Sequence, residues 1–583
     1  MIPAVLLLMF SLQSRPDPVR STLSPDGFDV ATAATEARKL IEEAPDRRPG
    51  SDGDDAAAEY LIDRFQAIEG GRVAEQRFNG EFDGDDVEMR NISLLLPGET
   101  DRTIAVLAHR DSAEGTGAAT SAAATGALLE LAEDFSGARH TKSLLFVSTD
   151  GGSAGAAGAK ALAKSWPGGV TPETVVVIDQ PAAERLSRPF VRVFSDGRES
   201  GSAQLEQSAA IAVTDQAGDP GADTELERLL RLAVPAGLGE EAPLIESGLD
   251  AVGLSSAGEL PLQGTEAERL SETTLEEFGR ATLSLILALD ATQGPLEHGP
   301  DAYTELAGNL VPGWTLTLIA ILLLIPVGAV AVEGLARAMR RDDPAIRSLA
   351  WIVGRSFAFL ACLALVYLLA LAGLIPTPPF PFDPARYGID AKAIIALVLL
   401  VALFAAIAVA SRPLRLPRGA ERTAVGPALA AAVFLAGLGV WAANPYLALL
   451  AVPTAHLWML AGLPTERLPG LGRLLLFAAG FAVPAFAAGV IAGRLGVGLE
   501  LPWTALVMVA DGQIGPVTAF LGCLWGGCGL AALAVAVGRP APSPPPSQEP
   551  ESGEVVEPSE RDHEPVESDE LRALAFERFS DDR

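Results

Sequence analysis

Four side chains able to hold a cation or move a proton stand where apolar runs of strand length end. Residues 104–108 lead into His109-Arg110-Asp111, residues 143–148 into Thr149-Asp150-Gly151-Gly152, and residues 174–178 into Asp179. An imidazole and carboxylates gathered at one edge suit general acid–base work or ligation of a divalent metal, because zinc takes nitrogen and carboxylate-oxygen donors. Between the first two runs, residues 126–135 have helical spacing, with Leu128, Leu129 and Leu131 to one side. Strands alternating with helices predict an α/β fold with a mostly parallel or mixed sheet covered by helices. In such sheets the loops that leave the strand ends carry the chemistry.

The stretch resembles peptidase family 28, the zinc aminopeptidases built on a two-metal site. The matching residues are Ala108-His109-Arg110-Asp111-Ser112, the helix from Thr125 to Ala132, and residues 146–158. Arg48-Pro49-Gly50-Ser51 with Ala58-Glu59-Tyr60-Leu61 is similar to the family's entry segment, and residues 175–179 and 242–256 to its later strand and substrate side. The resemblance covers residues 28–289 and implies a three-layer αβα head. It also implies that His109 and Asp179 are metal ligands and that Asp111 orients the histidine.

The departures bear on function. The family's bridging aspartate falls on Ala122, and its paired glutamates, general base and ligand, fall on Gly152 and Ser153. Its final histidine should lie between Ser255 and Leu275, where there is none; the five histidines are His109, His140, His298, His456 and His563. A catalytic zinc needs about three protein ligands and a base near its water. The expectation is therefore a retired site with no cofactor, in which His109 is kept for hydrogen bonding with Asp111 or Asp179 and the head binds a peptide-like ligand or partner protein. Asp150 and Glu241 are its candidate binding residues. The alternative is an active zinc aminopeptidase with substitute ligands from Glu114, Asp150, Glu240, Glu241 or Glu259.

The chain has 583 residues and a net charge of -31, enough length for several domains and the wrong sign for nucleic acid. From residue 314 the composition turns apolar, and spans are expected over 314–332, 349–374, 391–410, 425–442, 446–463, 474–492 and 515–537, with a half-helix at 501–510. The partner of this part is the lipid bilayer. Arg337, Arg340, Arg341 and Arg347 follow the first span, Arg412, Arg415, Arg418 and Arg422 the third, and Arg467 and Arg473 the fifth. The positive-inside rule then puts the head outside the cytoplasm and the C-terminal tail inside, against the weak opposite signal of Arg15 and Arg20. Cys362, Cys523 and Cys528 read as small apolar residues in the membrane, leaving no disulfide for the head.

The expected organisation is an apolar segment over 1–24, read as a retained anchor, a head over 25–292, a linker over 293–312, a transmembrane bundle of about seven helices over 313–538, and a disordered acidic tail over 539–583. This arrangement resembles the membrane metallopeptidases of the endoplasmic reticulum and vacuole, and the membrane subunit of the glycolipid-anchor transamidase. His140 is expected at the surface, as is the acidic stretch 81–88. Of the ionisable residues in the spans, Arg355 and Arg494 are expected to snorkel, and His456 and Asp511 are the functional flags.

Overall fold

The computed structural model describes residues 2–184, 188–411, 416, 420–462 and 469–537. Seven strands form the sheet of the head: β1 (Arg72–Phe82), β2 (Asp85–Leu96), β3 (Thr100–His109), β4 (Lys142–Thr149), β5 (Thr174–Asp179), β6 (Phe190–Arg192) and β7 (Asp250–Ser255). Their order across the sheet is β1-β2-β4-β3-β5-β7-β6. The four central strands β4, β3, β5 and β7 run parallel, and the edges are antiparallel. Continuous apolar runs such as residues 104–108 form these strands because both faces are covered, so successive side chains find a core on either side.

The alternation is visible in the two cores. Ile104, Val106 and Ala108 join Val176, Ile178, Val252 and Leu254 on one face. That face packs under α1 (Val30–Glu43), α2 (Asp52–Ala67), α3 (Ser121–Ser136), α5 (Ala203–Ala217) and α8 (Glu272–Ala291). Ala105, Leu107, Val175 and Val177 point to the other face, against α4 (Ala157–Lys164) and α7 (Glu241–Glu246). The result is a three-layer αβα head with a mixed sheet. Helix α3 crosses α1 closely enough that a Cβ on Gly126 would come 2.2 Å from the Ala33 carbonyl oxygen, so glycine there permits the approach.

One local expectation changes, that for His140, and one holds, the exposed acidic stretch 81–88. His140 is buried, its Nδ1 donating to the Lys142 carbonyl at 2.7 Å and its ring edge-on to Phe135, because the chain turns inward to start β4. The acidic stretch 81–88 forms the β1–β2 hairpin turn, with Asp83 and Gly84 both at positive φ (54° and 88°), the geometry that suits a tight hairpin.

Among the described residues six helices are long and apolar enough to cross a bilayer: Gly313–Arg340, Ala345–Leu371, Ala391–Ser411, Ala424–Ala443, Gly470–Arg494 and Pro516–Val537. The segment expected over 446–463 is Pro445–Ala461, 17 residues and shorter than those six, and 501–510 is the short helix Leu501–Ala510. Trp458 anchors the interior of the bundle. It stacks on Phe477 at 5.9 Å, and Gly529 leaves room for its ring, since a Cβ there would lie 2.9 Å from it. The linker region is ordered, with a hairpin of Tyr303–Leu306 and Asn309–Pro312 extended by Gln13–Ser14. Arg494 does not snorkel: its side chain is 8% exposed, 3.9 Å from Glu259 of the head. His456 satisfies itself by a bond from Nδ1 to the Val452 carbonyl one turn back. Arg412, Arg415, Arg418, Arg467, His563 and the tail over 539–583 lie outside the described residues.

The head rests on the bundle. Helix α6 (Glu225–Ala233) buries Leu230, Leu232 and Ala233 against Leu316, Tyr446 and Leu450. The Asn444 amide donates to the Ala233 carbonyl at 2.8 Å, and the Gln513 amide to that of Pro235 at 3.0 Å.

Within the head, burial pushes the Glu130 carboxyl on α3 up to about 7 from its ordinary 4.5, despite the Asp29 N–H donated to it. The folded state therefore holds this proton to higher pH than the unfolded chain does. Stability is lost as pH rises from about 4.5 through 7. Glu130→Gln keeps an acceptor for Asp29 and should stabilise the protein at pH 8 by about 1 kcal/mol after allowance for solvent screening. The gain should vanish at pH 4, measured by thermal unfolding in detergent. An equal effect at both values would refute the assignment.

Candidate functional site

The parallel strands deliver their carboxyl ends to one edge of the sheet. There His109 ends β3 opposite Thr149 of β4, and Asp179 ends β5 opposite Ser255 of β7. His109 Nδ1 donates to the Asp111 carbonyl at 3.1 Å and stands 3.5 Å from its carboxylate, and Nε2 faces Asp179 Oδ1 at 3.8 Å. A carbonyl can only accept, so Nδ1 carries a proton. Burial pulls the imidazole's pKa down, but Asp111 and Asp179 raise it by more and leave it well above its usual value. Two acids thus flank His109, Asp111 on the Nδ1 side and Asp179 on the Nε2 side.

Asp111 is fully buried and ties the next loop to the histidine. It accepts from the backbone N–H groups of Gly152 (2.8 Å) and Ser153 (2.9 Å), and from the Ser153 hydroxyl at 2.5 Å. Burial alone would raise its carboxyl, but the bonds from His109 and Ser153 hold it near 2. Gly152 packs directly on the histidine. A Cβ at this position would lie 2.5 Å from His109 Cγ and 2.8 Å from Nδ1, so a glutamate there would force the imidazole aside. Ala122 is sealed in the core of α3.

Asp179 has a counter-ion that the sequence did not reveal. Arg192, on the three-residue edge strand β6, pairs with Asp179 through Nη2 and with Glu241 Oε1 through Nε at 3.1 Å. The guanidinium is 3% exposed. Burial opposes ionisation of Asp179, yet Arg192 and His109 hold its carboxyl well below the usual range. Glu241 is thereby a partner of Arg192 rather than a wall of the cleft.

Asp150 lies outside the cleft. It accepts from the Arg90 N–H at 2.8 Å and from Arg110 Nη2 at 2.9 Å, and Arg110 also reaches Asp54 at 3.1 Å. Glu259 is engaged by Arg231 at 2.5 Å and 2.9 Å. Of the possible substitute ligands, Glu114 and Glu240 line the cleft. Among the described residues no group of three or more His, Cys, Asp or Glu side chains is arranged to hold a metal ion. The donor set fits a zinc pair poorly: one imidazole, Asp179 already paired with arginine, Asp111 already tied to the Gly152–Ser153 loop, and Ala122 where the resemblance puts the bridging acid, with Glu114 and Glu240 as the further carboxylates of the cleft.

The cleft above these residues has a volume of about 400 Å³. One wall comes from the bundle, from the connection between Ala345–Leu371 and Ala391–Ser411, which contributes Pro379, Pro381, Phe382, Asp383, Arg386 and Tyr387. This wall is tied down. Arg386 pairs with Asp83 of the hairpin at 2.9 Å, Asp383 accepts from Gln263, the Phe380 carbonyl accepts from Lys160, and Trp503 Nε1 donates to the Tyr387 carbonyl at 2.9 Å. The proline- and aromatic-rich composition of 376–387 was the available signal for an ordered connection.

Removing Arg192 would leave Asp179 and Glu241 as buried like charges. Arg192→Met should lower stability by roughly 3 kcal/mol. Adding Asp179→Asn and Glu241→Gln should recover most of that loss, read as melting temperatures of the three proteins. An unchanged melting temperature in Arg192→Met would show that the pair is not structural.

Residues 91–228 match the family described as Peptidase family M28. No match to a curated protein was found. Among solved structures, the chain is similar to a glutaminyl cyclase from an Acidobacteriales bacterium (18% identity, 47% of this chain and 99% of the other, TM-score 0.38). It is also similar to a leucine aminopeptidase precursor from Bacteroides thetaiotaomicron (17% identity, 46% and 99%, TM-score 0.37) and to an aminopeptidase from an Aneurinibacillus species (13%, 47% and 97%, TM-score 0.38). The match to the peptidase family M28 model thus falls within the three-layer αβα head, which is joined to a set of apolar helices of membrane-spanning length.

Proposed function

We propose that the protein is a multi-pass membrane protein whose head, outside the cytoplasm, binds a peptide-like ligand or a partner protein in its cleft without hydrolysing it. The observation that carries this reading is the Arg192 guanidinium on Asp179. It supplies the positive charge that metal would bring to this carboxylate, but it has no open coordination position and cannot activate water. Gly152 adds support, because it leaves no room for a base without moving His109. The orientation rests on Arg337, Arg340, Arg341 and Arg347, which follow the first membrane helix and by the positive-inside rule favour the cytoplasm; with the short helix Pro445–Ala461 taken as a seventh crossing beside the six longer ones, the tail lies on that side too.

A second reading, an active zinc aminopeptidase with substituted ligands, draws support from Glu240, a carboxylate in the cleft within electrostatic reach of His109. Elemental analysis of the full chain purified in detergent, with zinc added and the excess removed, separates the two. Zinc well below one per chain and no release of amino acid from aminoacyl-coumarin substrates are expected. Near-stoichiometric zinc together with turnover that disappears in His109→Ala would establish the second reading instead.

A further inference from the structure

Ionisable side chains from the head and from the membrane helices meet where the two parts join. Lys160 comes from α4, Asp196 from the loop after β6, Glu246 from the end of α7, and Asp511 from the end of the short helix Leu501–Ala510. All three acids attract the Lys160 ammonium, and Lys164, one turn on, repels it. The ammonium itself donates to the Phe380 carbonyl, beside the cleft wall. Asp511 Oδ1 accepts from the Gln513 N–H at 2.8 Å, but its Oδ2 is buried with no hydrogen-bond partner among the described residues. Asp196 Oδ1 is in the same position. The Gln513 amide, a donor within the same group, is engaged by the carbonyls of Asp196 (3.3 Å) and Pro235 (3.0 Å).

Three acids against one ammonium leave an excess of negative charge. A buried carboxylate oxygen without a donor is costly, and a bound proton both removes the charge and supplies a donor. Burial pushes the Asp196 carboxyl up to about 7; Lys160 opposes this, and Glu246 and Glu241 add to it. Separating the head from the short helix would return Asp196 to water and to its ordinary value of 3.8. Closing the seam therefore takes up a proton between those two values. Closure is firmest below the lower one, weakens as pH rises, and levels off above the upper one. The surrounding contact is apolar: Ala236 of the head packs with Phe382 of the cleft wall and with Trp503, Val507 and Met508 of the short helix. The wall and the short helix thus seat on the head together, beside these charges.

We propose that Asp196 and Asp511, with Lys160, form a proton-binding site at the junction of head and membrane helices, and that its occupancy sets how firmly the short helix and the cleft wall sit on the head. Acid tightens this seam and alkali loosens it, whatever the cleft binds. The test is hydrogen exchange of the full chain in lipid nanodiscs, read by mass spectrometry over residues 233–239 and 501–515 between about pH 5 and pH 8, with each rate corrected for the intrinsic pH dependence of exchange. In the wild-type protein, protection of these segments should fall by about tenfold across that range. Asp196→Asn is neutral in both states, so it should retain at pH 8 the protection that the wild type shows at pH 5. Asp511→Asn leaves Lys160 to the remaining acids and should flatten the profile as well, so the result does not depend on one variant folding. Wild-type protection that stays level or rises with pH would overturn the proposal, as would a fall that persists unchanged in both variants.

Discussion

A guanidinium held between two buried carboxylates organises the cleft. Arg192 reaches from the edge of the sheet to Asp179 at the end of the central strand β5 and to Glu241 at the start of α7. Two consecutive strands and a helix about fifty residues further on are pinned at one point by charges that water barely reaches, and such a cluster tolerates no missing member. Its consequence propagates to His109. Asp179 faces one side of the imidazole and Asp111 the other, which raises its pKa, and the Gly152–Ser153 loop closes on Asp111 by three hydrogen bonds. Within this constellation Arg192 faces Asp179 and Glu241, and His109 faces Asp111 and Asp179.

The second constraint is the seat of the head on the bundle. A soluble hydrolase needs only its own loops to shape a cleft, but here the connection between two apolar helices forms one side of it. Arg386, Asp383 and the Phe380 carbonyl each bond to a different part of the head: the hairpin, the loop at Gln263, and α4. Helix α6 and the Glu259–Arg494 contact add further points of attachment. Residues of this connection thus both line the cleft and tie the bundle to the head.

Much of the architecture could be read from the chain because burial on both faces leaves continuous apolar runs. The runs at 104–108, 143–148 and 174–178 became β3, β4 and β5, and their ends bring His109, Asp111 and Asp179 together. Arg192 was illegible because β6 is three residues long, and nothing local marks an arginine as the partner of a carboxylate thirteen positions earlier. Asp150 was misleading for a related reason: its place after a strand end suggests a site residue, whereas Arg90 and Arg110 draw it beneath the loop. The proline- and aromatic-rich 376–387 signalled an ordered connection, but not that 379–387 would wall the cleft, since a connection between apolar helices carries no sign of what it packs against. His140 likewise showed no cue for burial, which comes from its bonding to a carbonyl two residues on.

The central claim is that an arginine, and not a metal, balances the acids of this cleft. An experimental density map of the full chain, prepared with excess zinc and recorded with anomalous signal at the zinc edge, addresses it most directly. The account predicts continuous guanidinium density joining Arg192 to Asp179 and Glu241, and no anomalous peak within reach of His109 Nε2. A pair of zinc peaks about 3.5–4 Å apart, bridged by carboxylates with Arg192 turned away, would contradict it.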